Sequence, residues 1–338
     1  MASNQGPVRT IDYHTGGEPF RIVVGGGPTL PGNSVLERRE AAMAGDADAL
    51  RSLLCSEPRG HADMYGCFLV PPDDHGAVLG ALFWHKDGFS TACGHGTIAL
   101  GVYAVDAGLV EAPDDGELSF EIDVPSGRVG ATVRRQSGRT VSVAFANVPS
   151  FVIAVGIEVP TSVGSIMVDL SYGGAIYASA RAGDASLAVE PRFLPEMIAI
   201  GREIKAYLSD RSEARHPTDD RLSGIYGTIW FDDLGDTSEG IRQRNCTVFA
   251  DGEVDRSPCG SGTSARLALL HAQGRLRVGD ILQHESVIGS EFLGRVLATA
   301  PESGGAVLTE VEGNAYRTGE HTFVLDPEDP IGRGFQLR

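Results

Sequence analysis

Two cysteines stand in matching glycine-rich turns, 166 positions apart. Residues 93–99 read Cys-Gly-His-Gly-Thr-Ile-Ala, and residues 259–265 read Cys-Gly-Ser-Gly-Thr-Ser-Ala. An apolar run follows each turn and ends at Gly108 or Gly274, which predicts a helix that begins at each Cys-Gly. The positive end of a helix dipole lowers the pKa of a thiol, and bare glycine N–H groups bind carboxylates. Each copy therefore predicts a reactive thiol beside an anion site.

Three other interpretations of these turns stay open on the residues alone. The cysteines could be small buried side chains, with the glycines as packing points between helix and strand. The turns also match the dinucleotide pattern G-x-G-x-x-A, although neither copy directly follows a clean hydrophobic strand. Cys93 and His95 could ligate zinc, but one intervening residue makes a poor chelate and the chain has no C-x-x-C. We expect neither a cofactor nor a metal.

The fourth interpretation is acid–base chemistry by two thiols that face each other across a cleft. One thiolate would remove the α-proton of a small substrate, while the opposite thiol delivers a proton to the other face. The amides at the two helix N-termini would hold the substrate carboxylate and stabilise the carbanion that forms. Composition agrees, since only Lys86 and Lys205 among 28 cations are lysines, which argues against a pyridoxal Schiff base.

Charge and hydropathy limit the partners and the location. The 338-residue chain carries a net charge of −17, which argues against nucleic acid or an anionic membrane surface as a partner. No apolar run approaches the length of a membrane span, and the polar N-terminus does not resemble a signal peptide. Five cysteines in such a chain indicate reduced thiols, so we expect a cytoplasmic protein.

The elements that position the turns repeat as well. The stretch 169–174 resembles 12–17, just as 259–265 resembles 93–99. Two such repeated segments in the same order predict two similar halves that meet near residues 150–165. Short β-type runs occur at 21–24, 67–70, 140–145 and 246–250. A capping box at 34–37 predicts a helix towards Leu54, and a second helix is predicted from about Pro195 past Tyr207. The chain is therefore expected to be α+β.

Three motifs together resemble the proline racemase family, which includes proline racemases, 4-hydroxyproline 2-epimerases and trans-3-hydroxy-L-proline dehydratases. They are His-Thr-Gly-Gly-Glu-Pro at 14–19, Cys-Gly-His-Gly at 93–96 and Asp-Arg-Ser-Pro-Cys-Gly-Ser-Gly at 255–262. The resemblance implies a diaminopimelate-epimerase-like fold, with two pseudo-symmetric α/β domains, each a curled sheet around a central helix. The predicted halves are 1–155, completed by a C-terminal strand at 320–338, and 156–319.

The resemblance also implies roles for individual residues. Cys93 and Cys259 correspond to the catalytic acid–base pair, and Asp255 to the aspartate that holds the ring nitrogen of the substrate. The remaining predicted substrate contacts are a carboxylate cradle, two apolar walls and one further histidine: Gly94, His95, Gly260 and Ser261; Phe83 and Phe249; His61. For both phenylalanines, His61 and Asp255 a purely structural role is the alternative. Relatives are commonly dimers, so a homodimer is expected.

The reaction within the family is predicted from the catalytic pair. Dehydratases usually replace one catalytic cysteine by Ser or Thr, whereas this chain keeps both thiols, which favours a racemase or 2-epimerase of proline or hydroxyproline. The segments 57–66 and 172–175 look more like the dehydratase branch. The alternative is therefore a trans-3-hydroxy-L-proline dehydratase. A non-catalytic amino-acid-binding protein would bind proline without proton exchange at the α-carbon, and a dehydrogenase would bind NAD tightly.

Overall fold

The computed structural model describes residues 6–300 and 305–337, and in that part of the chain strands outnumber helices. The helices are α1 Val35–Ala44, α2 Ala47–Cys55, α3 Gly94–Asp106, α4 Leu194–Ser209 and α5 Gly260–Ala272. The strands of the first part are β1 Val8–Thr15, β2 Glu18–Gly25, β3 Gly66–Val70, β4 Leu79–His85, β5 Gly88–Phe89, β6 Gly116–Val124, β7 Gly127–Gln136 and β8 Arg139–Ala146. The others are β9 Phe151–Thr161, β10 Gly164–Tyr172, β11 Ile176–Arg181, β12 Ile225–Asp236, β13 Gly240–Phe249, β14 Glu253–Val254, β15 Ile281–Ser286, β16 Glu291–Ala300, β17 Ala306–Gly313 and β18 Ala315–Phe323.

Strand pairing runs without interruption through both parts of the chain. One run is β18-β1-β2-β3-β4-β6-β7-β8, and the other is β9-β10-β11-β12-β13-β15-β16-β17. The antiparallel pairing of β8 with β17 joins the two runs. The short strands β5 and β14 pair with β4 and β13.

The two runs repeat each other in order and direction. The pairs β2–β3 and β4–β6 are parallel, and so are the corresponding pairs β11–β12 and β13–β15, while the remaining pairs are antiparallel. Parallel neighbours need a crossover connection, and the chain supplies helices there. Helices α1 and α2 connect β2 to β3, α4 connects β11 to β12, and α3 and α5 precede β6 and β15. The repeated segments of the sequence thus correspond to a repeated strand order in the fold.

Helices α3 and α5 are the centres of the two curled sheets. Helix α3 packs against β1, β2, β7, β8, β17 and β18, and α5 packs against β9, β10, β11, β16 and β17. Residues 94–104 of α3 and 260–270 of α5 are all buried. A helix that is apolar or small on every side is typical of such a buried centre. The two helices also contact each other, at the glycines of their N-termini.

Most of the predicted elements are present, with one difference. The four β-type runs correspond to β2, β3, β8 and β13, although β13 ends at Phe249, one residue before the predicted end, and the helix predicted from Pro195 is α4. The helix expected from Ser34 towards Leu54 is instead split into α1 and α2 by the segment at Gly45, where the backbone turns extended. Ser34 caps α1 as predicted, since its hydroxyl accepts from the N–H of Glu37 at 3.2 Å.

The C-terminal strand that pairs with β1 is Ala315–Phe323, so it begins before the predicted segment 320–338, whose last residue lies outside the described part. The division into 1–155 with that strand and 156–319 stays a prediction. Within residues 6–300 and 305–337, none of the helices has the length and apolar character needed to cross a membrane.

Candidate active site

The N-termini of α3 and α5 meet at two glycines. A Cβ atom on Gly94 would lie 2.5 Å from the Cα of Gly260, and one on Gly260 would lie 2.7 Å from the Cα of Gly94. Both neighbours are backbone atoms, so no side chain could move aside to make room. The helix N–H groups at these first positions have no partner inside their own helix. Glycine at both positions therefore lets two sets of donors and two helix dipoles converge on one place.

Cys93 is the N-cap residue of α3. Its sulfur accepts a hydrogen bond from the N–H of Gly96 at 3.2 Å, in the place where a serine or aspartate oxygen commonly caps a helix. The imidazole nitrogens of His95 lie 3.5 and 3.6 Å from the same sulfur. The thiol is thus fixed at the helix end and buried.

Cys259 precedes α5 in a strained backbone conformation. Its φ of +60° and ψ of 97° are values that a residue with a side chain rarely adopts. Its N–H donates to the hydroxyl of Ser257 at 3.1 Å, and its thiol points to the hydroxyl of Tyr177 at 3.7 Å. That hydroxyl also lies 2.6 Å from the Oγ of Ser261. These hydrogen bonds hold the sulfur at the N-terminus of α5 despite the strain.

Asp255 lies between the two helix ends. Its Oδ1 accepts from the N–H of Ser257 at 2.8 Å and from the Ser257 hydroxyl at 2.7 Å. Its Oδ2 lies 4.0 Å from the Nδ1 of His95. Burial raises the pKa of Asp255 to about 6 and lowers the pKa of His95 to about 3, so the imidazole is neutral. The carboxyl is thus available for a cationic amine.

Both thiols are protonated in the free protein, and the expected lowering of their pKa is wrong. Burial raises the pKa of Cys93 and of Cys259, and the nearby Asp255 carboxyl raises both further. The hydrogen bonds from the N–H groups of Gly96 and Gly262 act in the opposite direction but are the smaller effect. Desolvation of a thiolate at a buried position therefore outweighs the helix dipole.

The two thiols line one small cavity. Its volume is about 10 Å³, which is room for about one water molecule. The predicted residues Gly94, His95, Asp255, Ser261 and Phe249 also line it, together with Ala92, Tyr65, Tyr177 and Tyr226. Gly260 lies against Gly94 at its edge. The structure thus brings together eight of the ten predicted site residues.

Phe83 and His61 lie elsewhere. Phe83 is fully buried in the core, with its ring 6.1 Å from that of Phe20, and it is not among the residues that line the thiol cavity. His61 lines a separate cavity of about 270 Å³ with His14 and Arg59, and its Nδ1 accepts from the N–H of Asp63 at 3.2 Å. These positions agree with a purely structural role for Phe83 and His61, which was the alternative to substrate binding.

Three tyrosines at the cavity were missed from the sequence. The ring of Tyr226 stacks on Phe249 with centroids 5.6 Å apart, and the rings of Tyr65 and Tyr177 lie 5.8 Å from Phe249 and 5.5 Å from Tyr226 respectively. Burial raises the pKa of all three phenols, so they are neutral donors. Of the three, only Tyr177 could have been found from the sequence repeat. It stands 157 positions after Phe20, which is the offset between 12–17 and 169–174.

A cluster of ligand-type side chains lies outside the thiol cavity. The ligand atoms of His85, Asp87 and Glu253 are within 4.8 Å of one another. The ammonium of Lys86 lies 3.9 Å from Glu253, so a cation is already beside this carboxyl. The cluster faces a second cavity, of about 220 Å³, which His85, Asp87, Lys205 and Tyr226 help to line. The expectation that the protein uses no metal stays a prediction.

Comparison with protein families and curated proteins gives a consistent result. A family model described as proline racemase matches residues 10–336. A trans-3-hydroxy-L-proline dehydratase of Bacillus cereus is 43% identical over 329 residues, which are 97% of each chain. A 3-hydroxyproline 2-epimerase of Burkholderia multivorans is 42% identical over 331 residues, covering 97% of this chain and 98% of that one.

Solved structures agree with the predicted fold. A hydroxyproline epimerase from Agrobacterium vitis with bound trans-4-hydroxy-L-proline has a TM-score of 0.91 at 30% identity, covering 98% of this chain and 95% of that one. A methylitaconate-delta-isomerase, at 14% identity and a TM-score of 0.53, covers 95% of this chain and 96% of that one and shares the fold alone. The prediction of a diaminopimelate-epimerase-like α+β fold is confirmed.

Proposed function

The chain belongs to the proline racemase family, and on that premise we propose that Cys93 and Cys259 are the acid–base pair of a racemase or 2-epimerase of proline or hydroxyproline. The observation that carries this proposal is the common cavity of the two buried thiols at converging helix N-termini. A dehydrogenase would need a dinucleotide site, whereas the two glycine-rich turns here pack against each other. No cofactor is needed for the reaction proposed.

In this mechanism some residues of the cavity bind the substrate and others transfer protons at its α-carbon. The N–H groups at the starts of α3 and α5 bind the substrate carboxylate and stabilise the negative charge that grows on it as the α-proton leaves. Asp255, with His95 beside it, accepts hydrogen bonds from the ring ammonium. Once one of the two thiols has lost its proton to solvent, the resulting thiolate takes the α-proton onto its sulfur, and the opposite thiol gives its proton to the other face of the same carbon. The thiol and the thiolate have then exchanged roles.

Substrate entry in this scheme requires the cavity to open. A space of about 10 Å³ does not hold a cyclic amino acid. The strand pair β8–β17 connects the two halves on one side. On another side the two parts of the chain touch through polar contacts, such as the hydrogen bond from the N–H of Asp251 to Asp87 at 2.6 Å and the ion pair of Arg256 with Asp63 at 3.0 Å. We infer that opening takes place at such contacts while the strand pair acts as the hinge.

Deuterium incorporation tests the proposal. In heavy water, the inverted product of L-proline or of a hydroxyproline is expected to carry deuterium at the α-carbon. Replacing either thiol, Cys93→Ser or Cys259→Ser, is expected to lower the inversion rate by about 10²–10⁴-fold, because proton transfer then lacks one of its two groups. The matched control is Cys55→Ser, which keeps a donor for the carbonyl of Met64 outside the cavity. Full activity of the Cys93→Ser protein would contradict the assignment.

A second candidate, a trans-3-hydroxy-L-proline dehydratase, is favoured by the similarity of this chain to dehydratases of that name, which are 42–43% identical. Here one thiolate removes the α-proton, the bond from C3 to oxygen breaks, and the hydroxyl leaves as water after it gains a proton. The resulting enamine becomes a cyclic imine. Incubation with trans-3-hydroxy-L-proline distinguishes the two reactions, since inversion keeps the hydroxyl and dehydration yields the imine.

The cysteines and the exposed apolar side chains bear on the compartment and the oligomeric state of the enzyme. We propose a cytoplasmic enzyme, which is supported by five free and buried cysteines that include both proposed catalysts. We also propose a homodimer, which is supported by exposed apolar side chains on and between β9 and β10, namely Val155, Val163 and Met167. Light scattering tests the dimer, and Met167→Glu is the variant expected to weaken it.

A further inference from the structure

The peptide group between Pro258 and Cys259 is held at both of its polar ends. Its carbonyl oxygen accepts from the Nδ2 of Asn245 at 3.0 Å and from the hydroxyl of Thr263 at 3.1 Å. Its N–H donates to the hydroxyl of Ser257 at 3.1 Å. The three side chains that make these bonds are fully buried. The plane of this peptide therefore has a fixed orientation.

Further hydrogen bonds fix the two side chains that hold the carbonyl. The Nδ2 of Asn245 also donates to the carbonyl of Glu285 at 3.2 Å, and two acceptors on one side identify the amide nitrogen. The single proton of the Thr263 hydroxyl goes to the Pro258 carbonyl, which can only accept, so its oxygen accepts from the Nδ1 of His284 at 2.8 Å. Burial lowers the pKa of His284 to about 3, so the ring is neutral and donates through Nδ1. A chain of hydrogen bonds thus runs from the imidazole through the hydroxyl to the carbonyl.

This fixed peptide accounts for the unusual backbone of Cys259. On the other side of the residue the helix has already begun, since the Cys259 carbonyl accepts from the N–H of Thr263 at 2.7 Å. Only φ and ψ of Cys259 can adapt between the fixed peptide and the helix, and they take the values +60° and 97°. Such values are strained in a residue with a side chain and persist only where the surroundings impose them. Without the bonds to the Pro258 carbonyl, we expect Cys259 to relax to a negative φ and its sulfur to shift away from the cavity.

In the first half of the chain the equivalent residues are arranged differently. Cys93 has a φ of −156°, and its sulfur caps α3 without strain. Thr97, which stands 166 positions before Thr263, donates to the carbonyl of Cys93 itself at 2.9 Å. The residue 166 positions before Asn245 is Leu79. Since a buried polar side chain costs stability unless it is fully bonded, a polar residue at this place in one half only points to a task in that half.

We propose that Asn245, Thr263 and His284 are positioning residues of the active site. Through the Pro258 carbonyl they hold Cys259 in the conformation that places its sulfur on the cavity. None of the three lines the thiol cavity, so they act through Cys259 and not on the substrate. They therefore affect proton transfer, whereas carboxylate binding depends on the helix N–H groups. This inference rests on the proposed acid–base role of Cys259.

Kinetics of two Thr263 variants tests the inference. Thr263→Val removes the hydroxyl with little change of shape, and Thr263→Ser keeps it. In Thr263→Val, kcat for inversion is expected to fall about 10²-fold with little change in KM, because a reacting group is displaced by roughly 1 Å. Thr263→Ser should restore most of the rate. Because Cys93 still works in Thr263→Val, one enantiomer of the substrate is expected to exchange its α-proton with heavy water without inverting. Equal losses of kcat in the two variants would overturn the inference.

Backbone conformation is measured separately from activity. With ¹³C-labelled cysteine, the protein gives NMR signals from only five residues, and those of Cys259 are assigned by their absence in Cys259→Ser. In Thr263→Val, the Cα and Cβ signals of Cys259 are expected to move towards those of an extended residue such as Cys93. The matched control is Thr97→Val, which removes a hydroxyl from the equivalent turn of α3 and should leave the Cys259 signals in place.

A second variant acts on the same carbonyl from the other side. Asn245→Leu is expected to move the Cys259 signals and lower kcat as Thr263→Val does. Unmoved signals in a folded variant, or moved signals with wild-type kcat, would overturn the inference, and so would the failure of both variants to fold, since the residues would then be structural. Wild-type protein that inverts neither proline nor a hydroxyproline would instead remove the proposed catalysis, while the NMR comparison still tests how Cys259 is held.

Discussion

Adding a single methyl group at Gly94 is expected to separate the two halves of the catalytic site. A Cβ atom there would lie 2.5, 2.6 and 2.7 Å from the Cα and C of Gly260 and the N of Ser261. Carbon atoms pack at about 3.5–4.0 Å, so the N-termini of α3 and α5 must move apart by roughly 1 Å. A displacement of that size at a reacting group lowers catalysis by about 10²-fold. In Gly94→Ala we therefore expect kcat/KM to fall by about 10²-fold.

The matched control lies one heptad further along the same helix. In Gly101→Ala the new Cβ would lie 2.7 Å from the Cγ1 of Val143, so it also overpacks the core, but away from the thiols. Each variant is expected to lose about 1–3 kcal/mol of unfolding free energy. Gly183→Ala, where a Cβ meets nothing within 4 Å, serves as the neutral reference.

The assay measures the thermal unfolding midpoint and kcat/KM on the same preparations. Both α3 variants should unfold at lower temperature than wild type, and only Gly94→Ala should lose most of its kcat/KM. Wild-type kcat/KM in Gly94→Ala would contradict the predicted separation of the helix ends, and so would an equal loss of activity in Gly101→Ala at a similar unfolding midpoint. In the second case, destabilisation of α3 and not separation of the helix ends would explain the loss.

Two further predictions follow from pKa shifts. Because burial raises the pKa of both thiols proposed as catalysts, little thiolate exists at neutral pH, and kcat/KM is expected to keep rising beyond the usual thiol pKa of about 8.5; a plateau below pH 8 in the rate profile would count against this. Burial also raises the pKa of the Glu253 carboxyl from 4.5 to about 9, so the folded protein holds a proton that the unfolded chain has lost. Its contribution to stability is complete below pH 4.5 and is lost as the pH rises towards 9. Urea unfolding at pH 5, 7 and 9 should therefore show Glu253→Gln gaining on wild type as the pH rises, and a difference independent of pH would be evidence against the shift.

Much of the site was predictable because its parts are local in sequence. The thiols, the glycines beside them and the caps of α3 and α5 lie within short motifs, and the spacing of 166 positions indicated that the motifs are equivalent. Asp255 was found because the segment Asp-Arg-Ser-Pro-Cys-Gly at 255–260 resembles a motif of the family. The family, the fold and the central helices followed from these same segments.

The remaining features depend on contacts between distant segments. Tyr65 and Tyr226 are 161 positions apart and meet only in the folded structure, so no local pattern marks them. Phe83 stands at the same distance before Cys93 as Phe249 before Cys259, yet only Phe249 lines the cavity.

The sequence by itself determined which side chains could do chemistry and that they occur as an equivalent pair, since residue type and spacing are local properties. Tertiary structure decided their ionisation. A helix N-terminus predicts a thiolate, but complete burial, with the Asp255 carboxyl nearby, keeps the sulfurs of Cys93 and Cys259 protonated. The reason is physical, because the energy of a charge depends on everything packed around it, and that packing comes from both halves of the chain.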